Sequence, residues 1–307
     1  MTLALIAGQG GLPPFLTKAM LERGEVPVIC EVEQFPSEVK GELPRIGFRL
    51  ETLGTFLQIL KETGVTKICM AGAMQRPPID PSLIDAATMP LVPRVQAALT
   101  KGDDGTLRVF IDLFEEAGFD VIGAAEIAPE VLPKPGVLVG SLPRDLVPDL
   151  AAAEAALAEM GAADEGQAVV VKAGHVIARE DQRGTDAMLN DLAPDYDPPW
   201  LAEDPFDLAA DVLDSVADWL SGPEAEKPRV SPNAEGGLLF KAPKPGQELR
   251  VDMPLIGLKT AMGAAELGLR GIVIEAGGVM LLNPDGVRQV LEGHGMFLWV
   301  RPAGAMP

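Results

Sequence analysis

Over residues 1–130 the hydrophobic positions fall into short apolar runs separated by helical patterns. Leu3 to Ala7 reads as a strand running into the glycine loop GQGGLPP, with a helix behind it through Leu21. Val26 to Val32 reads as a second strand. Thr52 to Thr63 is helical, with Phe56, Leu57 and Leu60 on one face. Lys67 to Ala71 is a third strand, Thr106 to Ala117 a helix and Phe119 to Ile122 a fourth strand. This order predicts a parallel sheet covered on both faces, a Rossmann-like α/β domain. Ligands of such sheets sit at the carboxyl ends of the strands. Gly8 to Gly11, Gly72 to Arg76 and the Gly102-Asp103-Asp104 turn are therefore expected along one rim.

Beyond residue 130 the pattern changes. PEVLPKPGVLVGSLPRDLVP, at 129–148, reads as a linker or irregular crossover, and an alanine-rich helix follows from Asp149 to Met160. A second, C-terminal α/β (α+β) domain is expected over 161–307. It opens with a hairpin from Ala168 to Ile177 that turns at Ala173-Gly174. Its further elements are a strand from Leu238 to Lys241, a helix from Gly257 to Leu267, a strand from Gly271 to Glu275, a helix opening at Pro284 and a last strand from Met296 to Arg301. Residues 191–232 stand apart as an acidic, proline-rich insertion containing Trp200 and Trp219, with an amphipathic helix expected from Phe206 to Leu220. It reads as a surface insertion, or alternatively as a lid or partner-binding element.

Length agrees with this division, since 307 residues suggest about two domains. With 25 basic and 45 acidic residues the net charge is −20, which argues against nucleic acid as a partner. Cys30 and Cys69 both end apolar runs and read as core residues, so no disulfide framework and a reducing compartment are expected. No apolar stretch approaches the ~20 residues of a membrane span, and the N-terminal strand lacks the basic start of a signal peptide. The expectation is a cytoplasmic protein, at most peripheral to a membrane.

Four segments carry candidate chemistry. Gly8, Gly10 and Gly11 suit either a phosphate at a helix N-terminus or a tight turn. Pro13 stands where a dinucleotide fingerprint has its third glycine, and Glu31 or Glu33 lies where its acidic residue falls. Asp103 and Asp104 suit a cation or ribose hydroxyls, or an N-cap. Glu180 and Asp186 bracket a glycine and suit metal-assisted phosphate chemistry, while Thr185 or Asp186 can instead cap a helix. KAPKPGQELRVDMP, at 241–254, gathers Lys241, Lys244 and Arg250 in an acidic chain. In an extended segment Arg250 and Asp252 share a face, which suits phosphate binding and water orientation; a surface salt bridge is the plain alternative. His175 and His294 lack any ligand spacing. No G-x-S-x-G, C-x-x-C or P-loop pattern occurs.

These motifs, in order along nearly the whole chain, resemble the LpxI-type UDP-2,3-diacylglucosamine pyrophosphatases of lipid A biosynthesis. The matching segments are LALIAGQGGLPP, AGAMQRP at 71–77, GDD at 102–104, DEGQ at 164–167, Glu180 with GTDAM at 184–188, KPGQELRVDMP at 244–254 and EAGG at 275–278. Ala73 stands where that family has lysine, Arg183 where it has a second glutamate, and Glu248 where it has aspartate. The 191–232 insertion is longer than the family's connector.

The resemblance implies hydrolysis of the substrate pyrophosphate to 2,3-diacylglucosamine 1-phosphate (lipid X) and UMP. It implies a divalent cation, Mg2+ or Mn2+, and two domains holding a glycolipid nucleotide. Asp252 is then the water-orienting base or metal ligand, with Asp186 and Glu180 as further candidates for metal or water. Lys244, Gln247 and Arg250 would hold phosphate. Gly8, Gly10, Gly11, Arg76, Asp103, Asp104, Gln167 and Thr185 would serve substrate recognition. Transient apolar contact with the inner membrane and a homo-oligomer are compatible with this reading. The alternatives are a nicotinamide-dependent oxidoreductase and a nucleotide-sugar- or lipid-binding protein without turnover.

Overall fold

The computed structural model describes residues 2–74, 77–99, 103–193 and 233–305. The chain divides into two units. The first comprises Met1–Glu130 and Glu248–Asp252; the second comprises Val131–Gln247 and Met253–Pro307.

The first unit is built on a five-stranded sheet in the order β3-β2-β1-β4-β5. Its strands are β1 (Thr2–Ala7), β2 (Val28–Val32), β3 (Arg45–Phe48), β4 (Val65–Ala71) and β5 (Asp120–Val121). Every pairing is parallel. The near-continuous apolar runs follow from burial on both faces. Ala4, Ile6, Cys30 and Ile68 join one core cluster with the helices, while the alternate residues Leu5, Ile29 and Cys69 are buried as well. Helix α1 (Leu12–Glu22) starts with prolines in its first turn, where the missing amide costs nothing, and buries Leu12, Leu16 and Met20. Helix α2 (Leu53–Glu62) buries Leu53, Phe56, Leu57 and Leu60 at helical spacing, and Phe56 stacks on Phe48 with ring centroids 4.0 Å apart. Helices α3 (Val92–Leu99), α4 (Asp103–Glu116) and α5 (Ala124–Ile127) complete the unit.

β3 and α3 were not expected from the pattern. β3 is a four-residue edge strand of which only Phe48 is fully buried, so it lacks an apolar run. In α3 Val95 and Ala98 are buried while Pro93, Gln96 and Ala97 are exposed, and Pro93 reads as a loop residue although it lies in the first turn.

The second unit holds a six-stranded mixed sheet in the order β6-β13-β11-β9-β7-β8. β9 (Leu238–Lys241), β11 (Gly271–Glu275) and β13 (Phe297–Arg301) form a parallel trio. β6 (Gly136–Val139) pairs antiparallel with β13, and the hairpin β7 (Ala168–Lys172) and β8 (His175–Arg179) pairs antiparallel through β7 with β9. One face packs on α6 (Val147–Ala162) through Leu150, Ala153, Phe240, Val273 and Trp299. The other carries α7 (Thr185–Asp191), α8 (Leu258–Glu266) and α9 (Pro284–Gly293) over Leu239, Ile272, Ile274 and Leu298. A short parallel pair, β10 (Leu255–Ile256) and β12 (Met280–Leu281), lies beside α8.

The fold class is the expected one, a parallel-sheet α/β domain followed by a mixed α/β domain. The stretch expected as a linker and connecting helix, 131–160, is instead an integral part of the second unit. It supplies the edge strand β6 and the helix covering one face. Three prolines and a glycine around GVLV hide that strand in the sequence. The helix expected at Phe206 to Leu220 lies outside the described residues. Among the described residues no helix is long and apolar enough to cross a membrane.

Candidate active site

In the first unit the carboxyl ends of β1 and β4 are zipped together. Gly8 N–H donates to the Ala71 carbonyl at 2.8 Å, Gln9 N–H to Ala73 O at 2.8 Å, and Ala73 N–H back to Gln9 O at 2.9 Å. The approach is so close that a Cβ on Gly8 would stand 2.5 Å from Ala73 O. Gly10 has φ +89° and opens the loop toward α1, whose N-cap is Gly11. Its amide donates to Glu38 Oε1 at 3.3 Å, and Glu38 Oε2 is buried with no hydrogen-bond partner. The acidic residue at the glycine loop is therefore Glu38, not Glu31 or Glu33. Glu31 is bound by the Ser37 hydroxyl and amide and by Arg45 at 2.9 Å. Glu38 comes from an irregular segment, beyond the spacing that a dinucleotide fingerprint anticipates. α4 opens at Asp103, which puts Asp103 and Asp104 in its first turn. Arg76 lies outside the described residues.

Residues 248–252 belong to this unit although the chain around them builds the second. The segment is not extended, as the same-face argument required. Glu248 O accepts the amides of Val251 and Asp252 at 3.2 and 3.0 Å, which closes a turn. Arg250 and Asp252 are therefore not related by strand alternation. The turn sits at the carboxyl end of β5: a Cβ on Gly123 would stand 3.2 Å from Arg250 Cα, and Val251 packs against the core. The Arg250 guanidinium bonds Glu115 at 2.7 Å and Glu248 at 3.0 Å. Its hydrogen bonds and charge outweigh burial and hold the Glu248 carboxyl below the usual range.

In the second unit the predicted residues Glu180, Thr185 and Gln167 meet at the end of β9. Glu180, 6% exposed, follows β8 directly. Its Oε2 accepts the Gln167 amide at 2.7 Å and its Oε1 accepts the Thr185 hydroxyl at 2.8 Å. Lys241 Nζ donates to Thr185 Oγ1 at 2.6 Å and lies 3.9 Å from Glu180 Oε1. Gly166 admits no side chain, because a Cβ there would stand 2.3 Å from Glu180 O. α7 is capped by Gly184, at φ +91°, without any side-chain bond. Thr185 and Asp186 are therefore first-turn residues rather than caps; the Asp186 carboxylate accepts the Thr260 hydroxyl at 3.3 Å. In the KPGQ turn Lys244 pairs with Asp164 at 2.7 Å, and its amide donates to Gln247 Oε1 at 2.8 Å. Arg183 pairs at the surface with Asp181 and Asp191.

Lys244 and Arg250 of the cationic loop are paired with carboxylates, Asp164 and Glu115, whereas Lys241 bonds the Thr185 hydroxyl and lies 3.9 Å from Glu180. The sequence places Lys241 in that loop but does not show it as a buried neighbour of Glu180. The signal was a charged residue closing the otherwise apolar strand LLFK. Among the described residues no three His, Cys, Asp or Glu side chains gather into a cation site. Mg2+ commonly uses one or two carboxylates with phosphate oxygens and water instead, a donor set to which either Asp252 or Asp186 is suited.

A doubly wound parallel domain with a glycine rim, joined to a mixed-sheet domain with a buried Lys-Thr-Glu cluster, defines a two-domain α/β protein suited to a phosphorylated ligand. Two family models divide the chain in the same way: the LpxI N-terminal domain matches residues 2–131 and the LpxI C-terminal domain residues 134–299. The chain belongs to the LpxI family. It is 33% identical over 298 residues to the UDP-2,3-diacylglucosamine pyrophosphatase LpxI of Caulobacter vibrioides, covering 96% of each chain.

Proposed function

We propose that this protein hydrolyses the pyrophosphate of UDP-2,3-diacylglucosamine, releasing UMP and 2,3-diacylglucosamine 1-phosphate. Likeness to the Caulobacter vibrioides pyrophosphatase over 96% of both chains carries this reading. The geometry supports it. Pyrophosphate hydrolysis needs charge neutralisation and a positioned water rather than a nucleophilic side chain.

Asp252, on the turn at the β5 end of the first sheet, orients the water. The glycine rim receives the nucleotide half at the N-terminus of α1, beyond the amides of Gly8, Gln9 and Gly10, which are bonded within the rim. Arg250 and Lys244 bind phosphate oxygens by exchanging Glu115 and Asp164 for them. Both carboxylates are more than 40% exposed, so the pairs given up are weak. Glu180, with both oxygens already accepting, holds Thr185 and Lys241 in place. Mg2+ or Mn2+, held by Asp252 or Asp186, would supply charge neutralisation on the pyrophosphate oxygens. Two acyl chains on the substrate call for contact with the cytoplasmic face of a membrane. In a chain of net charge −20 that contact is apolar rather than electrostatic.

UMP release from UDP-2,3-diacylglucosamine tests the proposal, measured with EDTA and with added Mg2+ for the wild type and Asp252→Ala. Metal-dependent release that falls at least about a hundredfold in the variant is expected. No release from the wild type with any cation would leave a nucleotide-sugar-binding protein in its place.

A further inference from the structure

We propose that Lys241 is a phosphate-binding residue of the second unit, its ammonium taking a non-bridging oxygen of a pyrophosphate. The inference rests on the hydrolytic reading above for its substrate. Its geometry is independent of that reading.

Lys241 closes β9 and is only 7% exposed. An ammonium has three donors. Among the described residues Lys241 Nζ makes one hydrogen bond, to the Thr185 hydroxyl. The nearest carboxylate oxygen, Glu180 Oε1, lies 3.9 Å away, beyond hydrogen-bond reach. The bonds among the other groups run as a chain. Gln167 N–H donates to Glu180 Oε2, Thr185 donates its proton to Glu180 Oε1, and the Thr185 lone pair receives Lys241. The chain of bonds therefore ends on a buried ammonium with two donors that the described residues do not fill, an arrangement that costs stability unless further acceptors complete it.

A lysine kept for structure alone would be expected to meet its carboxylate directly. Here a threonine hydroxyl stands between them, which fixes the ammonium 3.9 Å from Glu180 and leaves two of its protons for a further acceptor. The position suits a ligand: Lys241 is the last residue of a strand in the parallel trio, and ligands of parallel sheets gather at carboxyl ends. The orphaned Gln167 Oε1, also buried, lies on the residue whose amide holds Glu180. A phosphate oxygen accepts and never donates, so it matches the ammonium and not the Gln167 oxygen. Glu180 and Thr185 are then positioning residues, and Lys241 touches substrate.

The test uses the full chain and two probes, inorganic pyrophosphate and uridine, each measured by calorimetry and as an inhibitor of UMP release. Lys241→Met/Glu180→Gln removes the charge without leaving Glu180 buried and unpaired. Lys241→Gln is the second variant should the double one not fold; circular dichroism decides which is used. A hydrogen bond to a charged group is worth roughly tenfold to a hundredfold in binding. Pyrophosphate affinity should fall by that factor while uridine affinity stays within about twofold. Glu180→Gln alone, which retains the lysine and one acceptor for Thr185, should lose less pyrophosphate affinity than either Lys241 variant. A folded Lys241 variant with wild-type pyrophosphate affinity would overturn the proposal. If the wild type releases no UMP the hydrolytic reading fails, while the calorimetric comparison still decides whether Lys241 binds phosphate.

Discussion

Gly8→Ala tests the zipped rim of the first unit. The new Cβ would stand 2.5 Å from Ala73 O, 2.9 Å from Ala73 C and 3.0 Å from Gly72 C. All three are backbone atoms, so no side chain can rotate away. Ordinary contact begins at 3.4 Å, so the two segments must part by roughly 0.9 Å. That movement stretches both Gln9–Ala73 bonds, now 2.8 and 2.9 Å, past useful length. Two backbone bonds at about 1 kcal/mol each, plus residual crowding, give a destabilisation of about 2–3 kcal/mol. Cys30 and Cys69 provide the assay, since both are buried in this unit's sheet and burial pushes each thiol up to about 12. They should be silent to a thiol reagent in the native protein and react as the unit opens. With a urea slope of roughly 2 kcal/mol/M, the labelling midpoint should fall by about 1 M. KM for the nucleotide substrate should rise as the rim is displaced. Gly24→Ala is the control: Gly24 has φ +76° with nothing within 4 Å, so it should cost about 1 kcal/mol of strain and leave KM unchanged. A Gly8→Ala protein with the wild-type midpoint and KM would refute the steric argument.

Asp149 is 1% exposed and accepts Gly174 N–H at 2.6 Å and the Arg270 guanidinium. Asp149→Ala should cost about 3 kcal/mol in urea denaturation and loosen amide exchange at the β7–β8 turn. Burial alone would raise the Glu31 and Glu51 carboxyls. Hydrogen bonds from Ser37 and Arg45, and from the Asp80 amide and Arg49, outweigh it and hold both below 4.5. Their stabilisation is present above pH 4.5 and lost as pH falls through the folded values, so thiol exposure should rise in acid and Glu31→Gln should flatten that rise. Glu275 has the opposite sign. Burial raises its carboxyl, Arg301 pulls it down, Glu154 adds to the rise, and the net value stands above 4.5. The native state therefore loses stability as pH climbs from 4.5 through the folded value, and Glu275→Gln should melt higher than the wild type at pH 7 but not at pH 4. A lower melting temperature at pH 7 would contradict that environment.

The fold was legible where burial imposes a period or a run. β9 falls on Leu238–Lys241 as the pattern indicates, and α2 buries the face named from Phe56, Leu57 and Leu60. It was illegible where an element has only one buried side or is framed by breakers. β3 shows the sheet a single buried phenylalanine, and β6 sits among prolines at the antiparallel edge of the second sheet. A periodicity reading weighs local composition, whereas an edge strand is stabilised by a partner distant in sequence, β13 in the case of β6.

For the candidate site the limit was of another kind. Residue types were readable, because a lysine ending an apolar strand or two carboxylates around a glycine stand out against their neighbours. Partners were not. Glu180, Thr185 and Lys241 are brought together by the β7–β9 pairing and the seat of α7, across 56 residues between the last two. Segment 248–252 is a stronger case. Read locally it is an extended basic loop with Arg250 and Asp252 side by side. In the molecule it is a closed turn belonging to the first unit, held by Glu115 and by Val251 in that unit's core. The second domain's sequence thus completes the first domain's carboxyl rim. Truncation after residue 130 would therefore remove Asp252 from the rim it joins. That prediction tests the role proposed for Asp252: an isolated 1–130 fragment should still bind UMP weakly through its glycine loop but release none from substrate. A fragment that turned substrate over would place the chemistry in the first 130 residues and remove Asp252 from it.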